Sequence, residues 1–196
     1  MNRLDILNEV SNKLNAQSYL EIGVASGYTL NGVMCKHKIG VDPDKNSRAT
    51  IFSTSDEFFR NNTETFDLIF VDGLHYANQV KKDIENALAV LNQGGVIVCH
   101  DMSPYNELMQ RVPMQSAEWT GDCWKAWVEL RASRDDLSMQ VVDTDYGCGV
   151  IFRGKQELIN IDCELSYENL EKNRKYWLNL ITIEQFLDIV SKELGL

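Results

Sequence analysis

The side chains that could do chemistry in this sequence fall where short apolar runs stop. The first run ends in Glu21-Ile22-Gly23-Val24-Ala25-Ser26-Gly27-Tyr28-Thr29, the second in Asp42, a later one in Asp72 with His75 just beyond, and another in His100-Asp101. If the runs ending at Asp72 and Asp101 are neighbouring strands, two bare carboxylates stand about 5 Å apart and repel by about 3 kcal/mol at an effective dielectric of about 20. A cation, a proton or a histidinium must offset that. Carboxylate oxygens favour Mg²⁺, and recruiting His75 shifts the preference toward Mn²⁺, Fe²⁺ or Zn²⁺. With an ordinary pKa of about 6.5, His75 also suits a general base. Asp72, His75 and Asp101 are therefore the candidate catalytic residues and the candidate metal ligands. Alternation along a strand points His100 away from Asp101 unless the strand has already ended, and a packed, hydrogen-bonded histidine is the competing reading. His37, set among lysines, reads as solvated.

The glycine-containing run points to a ligand of another kind. Gly23 and Gly27 permit a tight turn and close approach of a ligand, and the N-terminus of a following helix offers free N–H groups to an anion. Alone, the two glycines read equally well as a plain strand-to-helix turn. Asp42 lies about twenty residues on, at the end of the second run, where an acid grips a ribose hydroxyl pair in nucleotide-binding sheets. Together they indicate an adenosine-containing cofactor. A dinucleotide fingerprint needs a further glycine where Ala25 stands, so a nicotinamide-dependent oxidoreductase is the weaker alternative. A nucleotide-binding protein without catalysis is another, weakened by the acids and histidine converging on one mouth.

These residues need a scaffold that brings strand ends together. Leu4, Leu7, Val10 and Leu14 recur at helical spacing, and the runs SYLEI, KIGV, ATIF, FDLIFV and GVIVC alternate with helical stretches, one beginning near Tyr28 and a long one from Ala77 to Leu91. That rhythm predicts a parallel sheet covered on both faces. LSMQVVDT and CGVIFR are too close together for a parallel crossover, so they pair antiparallel. The expectation is a Rossmann-like, doubly wound α/β fold with a mostly parallel seven-stranded sheet and an antiparallel C-terminal hairpin. It forms a single domain over 1–196: an N-terminal helix over 1–16, a cofactor-binding core over 17–153, and a helical extension over 154–196 with a helix starting at Thr182, where Thr182 and Gln185 have capping-box spacing. Trp124 and Trp127 read as core. The stretch Met102 to Gly121 is long for a connection and reads as a lid or acceptor-binding loop.

The pattern E-x-G-x-x-x-G followed by Val41-Asp42-Pro43 resembles the S-adenosylmethionine site of class I methyltransferases, over roughly Ser18 to Arg153. The resemblance implies that Glu21, Gly23 and Gly27 serve the methionine part, that the Thr29 hydroxyl holds its carboxylate, and that Asp42 binds the ribose. It also places adenine at Ser55 and Asp56, with Asp56 accepting from the exocyclic amine; an N-cap role for Ser55 or Asp56 is the competing reading. The stretch FDLIFVDGLHYANQVKKDIENALAVLNQGGVIVCHDM resembles metal-dependent O-methyltransferases of the catechol type, and more closely bacterial methyltransferases acting on sugars and natural products. In such enzymes the acids at the Asp72 and Asp101 positions hold Mg²⁺ and the residue at the His75 position is the base, which implies that Asp72 also borders the cofactor. Met102 departs from the pattern, replacing an asparagine ligand. What is implied is S-adenosylmethionine-dependent methyl transfer to a hydroxyl of a small molecule, with a sugar or natural product as partner and a divalent cation as an additional cofactor.

Composition narrows the classes further. With 196 residues and 44% hydrophobic content the chain can bury one sizeable core. A net charge of −10 disfavours nucleic acid and anionic membranes as partners. The start lacks a signal-peptide pattern and no apolar stretch approaches the roughly 20 residues of a membrane span, which predicts a cytoplasmic protein. Cys35, Cys99, Cys123, Cys148 and Cys163 form no CxxC pair and read as reduced thiols. A homo-oligomer is left open.

Overall fold

The computed structural model describes residues 1–195. Apolar residues on both faces of the central strands require two helical layers, and alternate side chains feed separate cores. Leu20, Ile22, Ile69, Val71, Ile97 and Cys99 face one way, while Tyr19, Leu68, Phe70, Val96 and Val98 face the other. In chain order the elements are α1 (Arg3–Leu14), β1 (Ser18–Ile22), α2 (Tyr28–Gly32), β2 (His37–Val41), α3 (Ser55–Asn61), β3 (Phe66–Val71), α4 (Ala77–Val90), β4 (Leu91–Cys99), α5 (Cys123–Ser133), β5 (Leu137–Val142), β6 (Cys148–Arg153), α6 (Tyr167–Leu178), β7 (Leu180–Ile181) and α7 (Ile183–Leu194). The first core takes residues from α3, α4, α5 and α6; the second takes them from α1, α2 and α7. Trp124 and Trp127 are fully buried in the first, as their spacing predicts.

The sheet has seven strands in the order β2-β1-β3-β4-β6-β5-β7. β2, β1, β3 and β4 run parallel, and β6 is antiparallel to both β4 and β5. The doubly wound α/β class and the terminal hairpin are thus as expected, but the seventh strand is a different one. ATIF is no strand: it makes a single bridge, Val41 to Ile51. At Gly40 the outward N–H donates to the Thr50 hydroxyl at 2.9 Å, and Thr50 N–H and Ile51 N–H both donate to the same Gly40 carbonyl. A side chain takes the place of the backbone ladder before the bridge, and after it only Asp42 N–H to Ile51 O at 3.1 Å and Ser53 N–H to Asp42 O at 3.3 Å follow. The seventh strand is instead β7 at the opposite edge, where Leu180 and Ile181 pair parallel with Val141 and Val142. The stretch 154–196 is therefore not purely helical. Its last helix begins where expected, with Thr182 and Gln185 forming a capping box. Among the described residues no helix is long and apolar enough to cross a membrane.

Candidate active site

Where β1 leaves the sheet the chain passes through three left-handed residues, Gly23 (φ 87°), Ala25 (φ 45°) and Gly27 (φ 75°). Glycine is needed at 23 for a steric reason as well, since a Cβ there would stand 2.0 Å from the Asp72 carbonyl oxygen. Asp42 fastens this loop to the end of β2: its Oδ2 accepts from the Val24 and Ala25 N–H groups, both at 2.9 Å, and its Oδ1 from Asp44 N–H at 2.8 Å. A carboxylate has about four acceptor positions, so capacity remains for one ribose hydroxyl.

Beneath the loop Glu21 is fully buried. It accepts from the Tyr19 hydroxyl at 2.5 Å and the Thr29 hydroxyl at 2.7 Å. Burial pushes its carboxyl up to about 7 even though those hydrogen bonds pull the other way. Two expectations change in consequence. The Thr29 hydroxyl is buried and donates inward to Glu21, so it does not present its proton to a ligand carboxylate. Glu21 likewise supports the loop from below. The helix that follows, α2, has only five residues, too short for the anion-binding dipole read from the sequence.

On one side of this loop lies a cavity of about 370 Å³ whose walls include Gly23, Asp42, Ser55, Asp56, Leu74 and Gln79. Thr54, not Ser55 or Asp56, caps α3, in a capping box with Glu57. Ser55 and Asp56 are thereby free to line the cavity. Asp56 is nonetheless engaged, with Oδ2 paired to Lys82 at 2.6 Å and Oδ1 accepting from Gln79 at 3.2 Å.

On the other side a second cavity, about 400 Å³, is lined by Arg3, Asp72, His75, His100, Asp101 and Trp119 among others. The three residues expected to meet do so: His75 Nε2 is 3.4 Å from Asp72 Oδ1, and Nδ1 is 3.3 Å from Asp101 Oδ2. Nδ1 also lies 3.2 Å from the Trp119 carbonyl, which can only accept, so Nδ1 carries a proton and Nε2 is the atom that exchanges one. Trp119 stacks on the His75 ring with centroids 5.3 Å apart. Burial pushes His75 down, but the hydrogen bond to Asp72 and the charges of Asp101 and Asp72 outweigh it, leaving the imidazole above its ordinary pKa. Gly121 (φ 59°) lets the 102–121 connection close here; a Cβ on it would stand 1.9 Å from the His75 carbonyl oxygen.

His100 belongs to the constellation, which sequence reasoning left open. β4 has ended at Cys99 and Asp101 turns through φ 64°, so strand alternation no longer applies. His100 Nδ1 lies 3.3 Å from Asp101 Oδ1 and 3.5 Å from Asp72 Oδ1, while Nε2 lies 3.5 Å from Asp145 Oδ1. Burial opposes its charge, but the Asp72 charge and hydrogen bonds to Asp101, Asp145 and Asp72 raise it well above the ordinary value. Burial raises Asp72 in turn, and His100 and His75 overcome that to hold it well below the usual carboxylate range. Arg3 Nη1 is 3.2 Å from His100 Nε2, a contact between two donors once His100 is charged; Asp145 resolves it by accepting from both, with Arg3 Nη1 at 3.1 Å from Oδ1.

Arg3, Asp145 and Gln79 were also missed. Asp145 had one local signal: Thr144-Asp145-Tyr146-Gly147 turns with Asp145 and Tyr146 left-handed and Gly147 N–H donating to Thr144 O at 2.8 Å, a tight hairpin turn that the short β5–β6 link required. Arg3, at the start of α1, had none. The Met102 side chain is fully buried and carries no oxygen.

The family model described as a methyltransferase domain matches residues 44–102. An uncharacterized protein of Sinorhizobium fredii, y4gI, is 31% identical over 90 residues, an alignment covering 46% of this chain and 8% of that much longer protein. Among solved structures, an assigned O-methyltransferase of Klebsiella pneumoniae superposes with a TM-score of 0.60 at 17% identity, covering 78% of this chain and 80% of that one. The O-methyltransferase of Bacillus cereus in complex with SAH gives 0.56 at 19% identity, over 76% and 78%. TomG of Streptomyces achromogenes, an O-methyltransferase involved in tomaymycin synthesis and solved with SAM, gives 0.58 at 15% identity, over 77% and 79%. The chain has the Rossmann-like fold of these methyltransferases.

Proposed function

We propose that the chain is an S-adenosylmethionine-dependent O-methyltransferase acting on a hydroxyl of a small molecule, with a sugar or natural product as the acceptor class. The observation that carries this reading is a pair of cavities that both border the Gly23–Ala25 loop and the Asp72–His75 turn, one suited to an adenosine and the other lined by a base and acids. The first fits the cofactor on this chain's own chemistry: Asp42 retains an acceptor position for the ribose, and Ile22, Val41 and Leu74 give an apolar wall for a base. Gly23 and Gly27 shape the loop that would hold the methionine part.

S-adenosylmethionine, when bound, supplies an electrophilic methyl group on sulfur. The residues around it do the rest. Trp119 and His75 form one wall of the acceptor cavity and fix the hydroxyl's approach. His75 Nε2 would take the proton of an acceptor hydroxyl placed in this cavity, and Asp72 beside Nε2 would stabilise the resulting imidazolium. His75 must be neutral beforehand, so turnover rises with pH through its raised pKa. His100 and Arg3 supply the countercharge that allows Asp72, Asp101 and Asp145 to stand together.

A divalent cation is a second reading, favoured by one observation: Asp72, His75 and Asp101 each offer a donor atom, and these atoms all lie within 4.8 Å of one another. Two carboxylate oxygens and an imidazole nitrogen fit Mn²⁺ or Zn²⁺ better than Mg²⁺. The ion would supply Lewis-acid polarisation of the acceptor oxygen. An imidazole bound to it is a poor base, so the two readings exclude each other at His75.

The first test is calorimetry with S-adenosylhomocysteine and NAD on the purified chain. Binding of the former alone is expected; binding of NAD alone would overturn the methyltransferase reading.

A further inference from the structure

Three acceptors converge on one amide nitrogen in the wall of the adenosine cavity. Gln79 Nε2 lies 3.0 Å from Asp83 Oδ1, 3.2 Å from Asp56 Oδ1 and 3.2 Å from Ser55 Oγ. An amide has two faces of opposite hydrogen-bonding sense, and turning this one over would set its oxygen against two carboxylates. Asp56 is anionic, held below the ordinary range by hydrogen bonds from Lys82 and Gln79. Asp83, on the next turn of α4, is 1% exposed; burial raises its pKa, and hydrogen bonds with Ser55 and Gln79 oppose that. The NH₂ end of Gln79 is thus fixed among the acids, and among the described residues its oxygen accepts no hydrogen bond. Gln79 lines the cavity and is only half-buried, so its oxygen is open to a ligand N–H that enters there.

Asp56 is less suited to that task than the sequence suggests, because one of its oxygens is paired with Lys82 and the other with Gln79. We propose that Gln79, oriented by the buried Asp83, accepts the exocyclic amine of the cofactor's adenine and makes this cavity select adenine over a 6-oxopurine. The proposal rests on the methyltransferase reading of the cavity and deepens it. Gln79 is the specificity-determining residue; Asp83 is a positioning residue that acts through it.

The test uses S-adenosylhomocysteine and S-inosylhomocysteine, which differ at the purine 6-position, where an amine donor is replaced by an oxygen acceptor. Calorimetry on one sample gives the ratio of the two affinities, which does not depend on how much of the sample is folded. Wild type should prefer the adenine ligand by about tenfold or more, the scale on which a site rejects a ligand that leaves its polar groups unpaired. Gln79→Leu, and Gln79→Met as a second variant preserving length, should weaken S-adenosylhomocysteine about tenfold with little effect on S-inosylhomocysteine. Asp83→Asn removes one of the two carboxyl groups that hold the amide, so it should narrow the ratio of the two affinities by less than the Gln79 variants do. A merely structural role would lower both together. A wild-type ratio near one, or a ratio unchanged in both Gln79 variants, overturns the assignment while leaving the cofactor reading intact. Failure of wild type to bind S-adenosylhomocysteine at all instead overturns the reading beneath it.

Discussion

The two cavities at the carboxyl edge of the sheet are built on opposite principles. The cavity we assign to adenosine is shaped by backbone: a left-handed Gly23, a carboxylate held by three N–H groups, and apolar strand ends. The cavity we assign to the acceptor is shaped by charge, with three acids, two imidazoles and a guanidinium linked by contacts of 3.1 to 3.5 Å. Such a loop needs few partners, the Asp42 carboxylate and the Asp72 carbonyl beside Gly23 among them. A charge cluster works only if every member has a counterpart, so each of its residues depends on others far away in the chain.

That contrast predicts that a single removal in the acceptor cavity should stop turnover without touching cofactor binding. His75→Ala is expected to lower kcat by roughly 10² to 10⁴, the usual yield of a positioned base, with S-adenosylhomocysteine affinity unchanged. Single-turnover methyl transfer together with calorimetry measures both, and retained turnover would remove the histidine from the mechanism.

The adenosine cavity should instead respond through its foundation. Glu21 is raised from its ordinary value to about 7 by burial, so the stability it contributes is fully present below about pH 4.5 and is lost as pH rises through about 7, a fall of about 3 kcal/mol. Urea unfolding of wild type and Glu21→Gln at about pH 4 and pH 8 should show wild type losing about that much more than the variant. Equal losses would mean that Glu21 titrates near its ordinary value in the folded chain.

Asp42→Ala tests the loop fastening and the ribose contact together. It should weaken S-adenosylhomocysteine by about 1 to 3 kcal/mol by calorimetry, the cost of leaving ligand and backbone donors without a charged acceptor. An unchanged affinity would separate the β2 end from the cofactor.

The smallest effect expected is that of a chelator. With His100 and Arg3 supplying the countercharge, turnover and its rise with pH above the ordinary histidine range should survive chelation. Loss of activity restored by Mn²⁺ or Zn²⁺, with cofactor binding retained, would instead place an ion on Asp72, His75 and Asp101.

Gly23 and Asp42, which line the cavity assigned to adenosine, were legible because they act at a turn and a strand end, whereas Gly27 lies outside that lining, against Arg48. Asp72, His75 and Asp101 were legible too, each ending or following an apolar run. Thr29 was misjudged because its hydroxyl direction depends on Glu21 lying beneath it, a contact between a strand and a helix.

From its periodicities and turn residues alone, the sequence determined the alternation of strands and helices, the antiparallel hairpin and the cap of the last helix, since each is settled within a few residues along the chain. Only the tertiary structure decided that ATIF stays unpaired beyond one bridge, where the Thr50 side chain takes Gly40's outward hydrogen bond, and that Leu180–Ile181 completes the sheet. It also decided that Arg3, His100 and Asp145 share one site. Nothing local connects those three residues. They meet because α1, the end of β4 and the β5–β6 turn converge at the same edge of the sheet, and burying their charges is tolerable only when they are buried together.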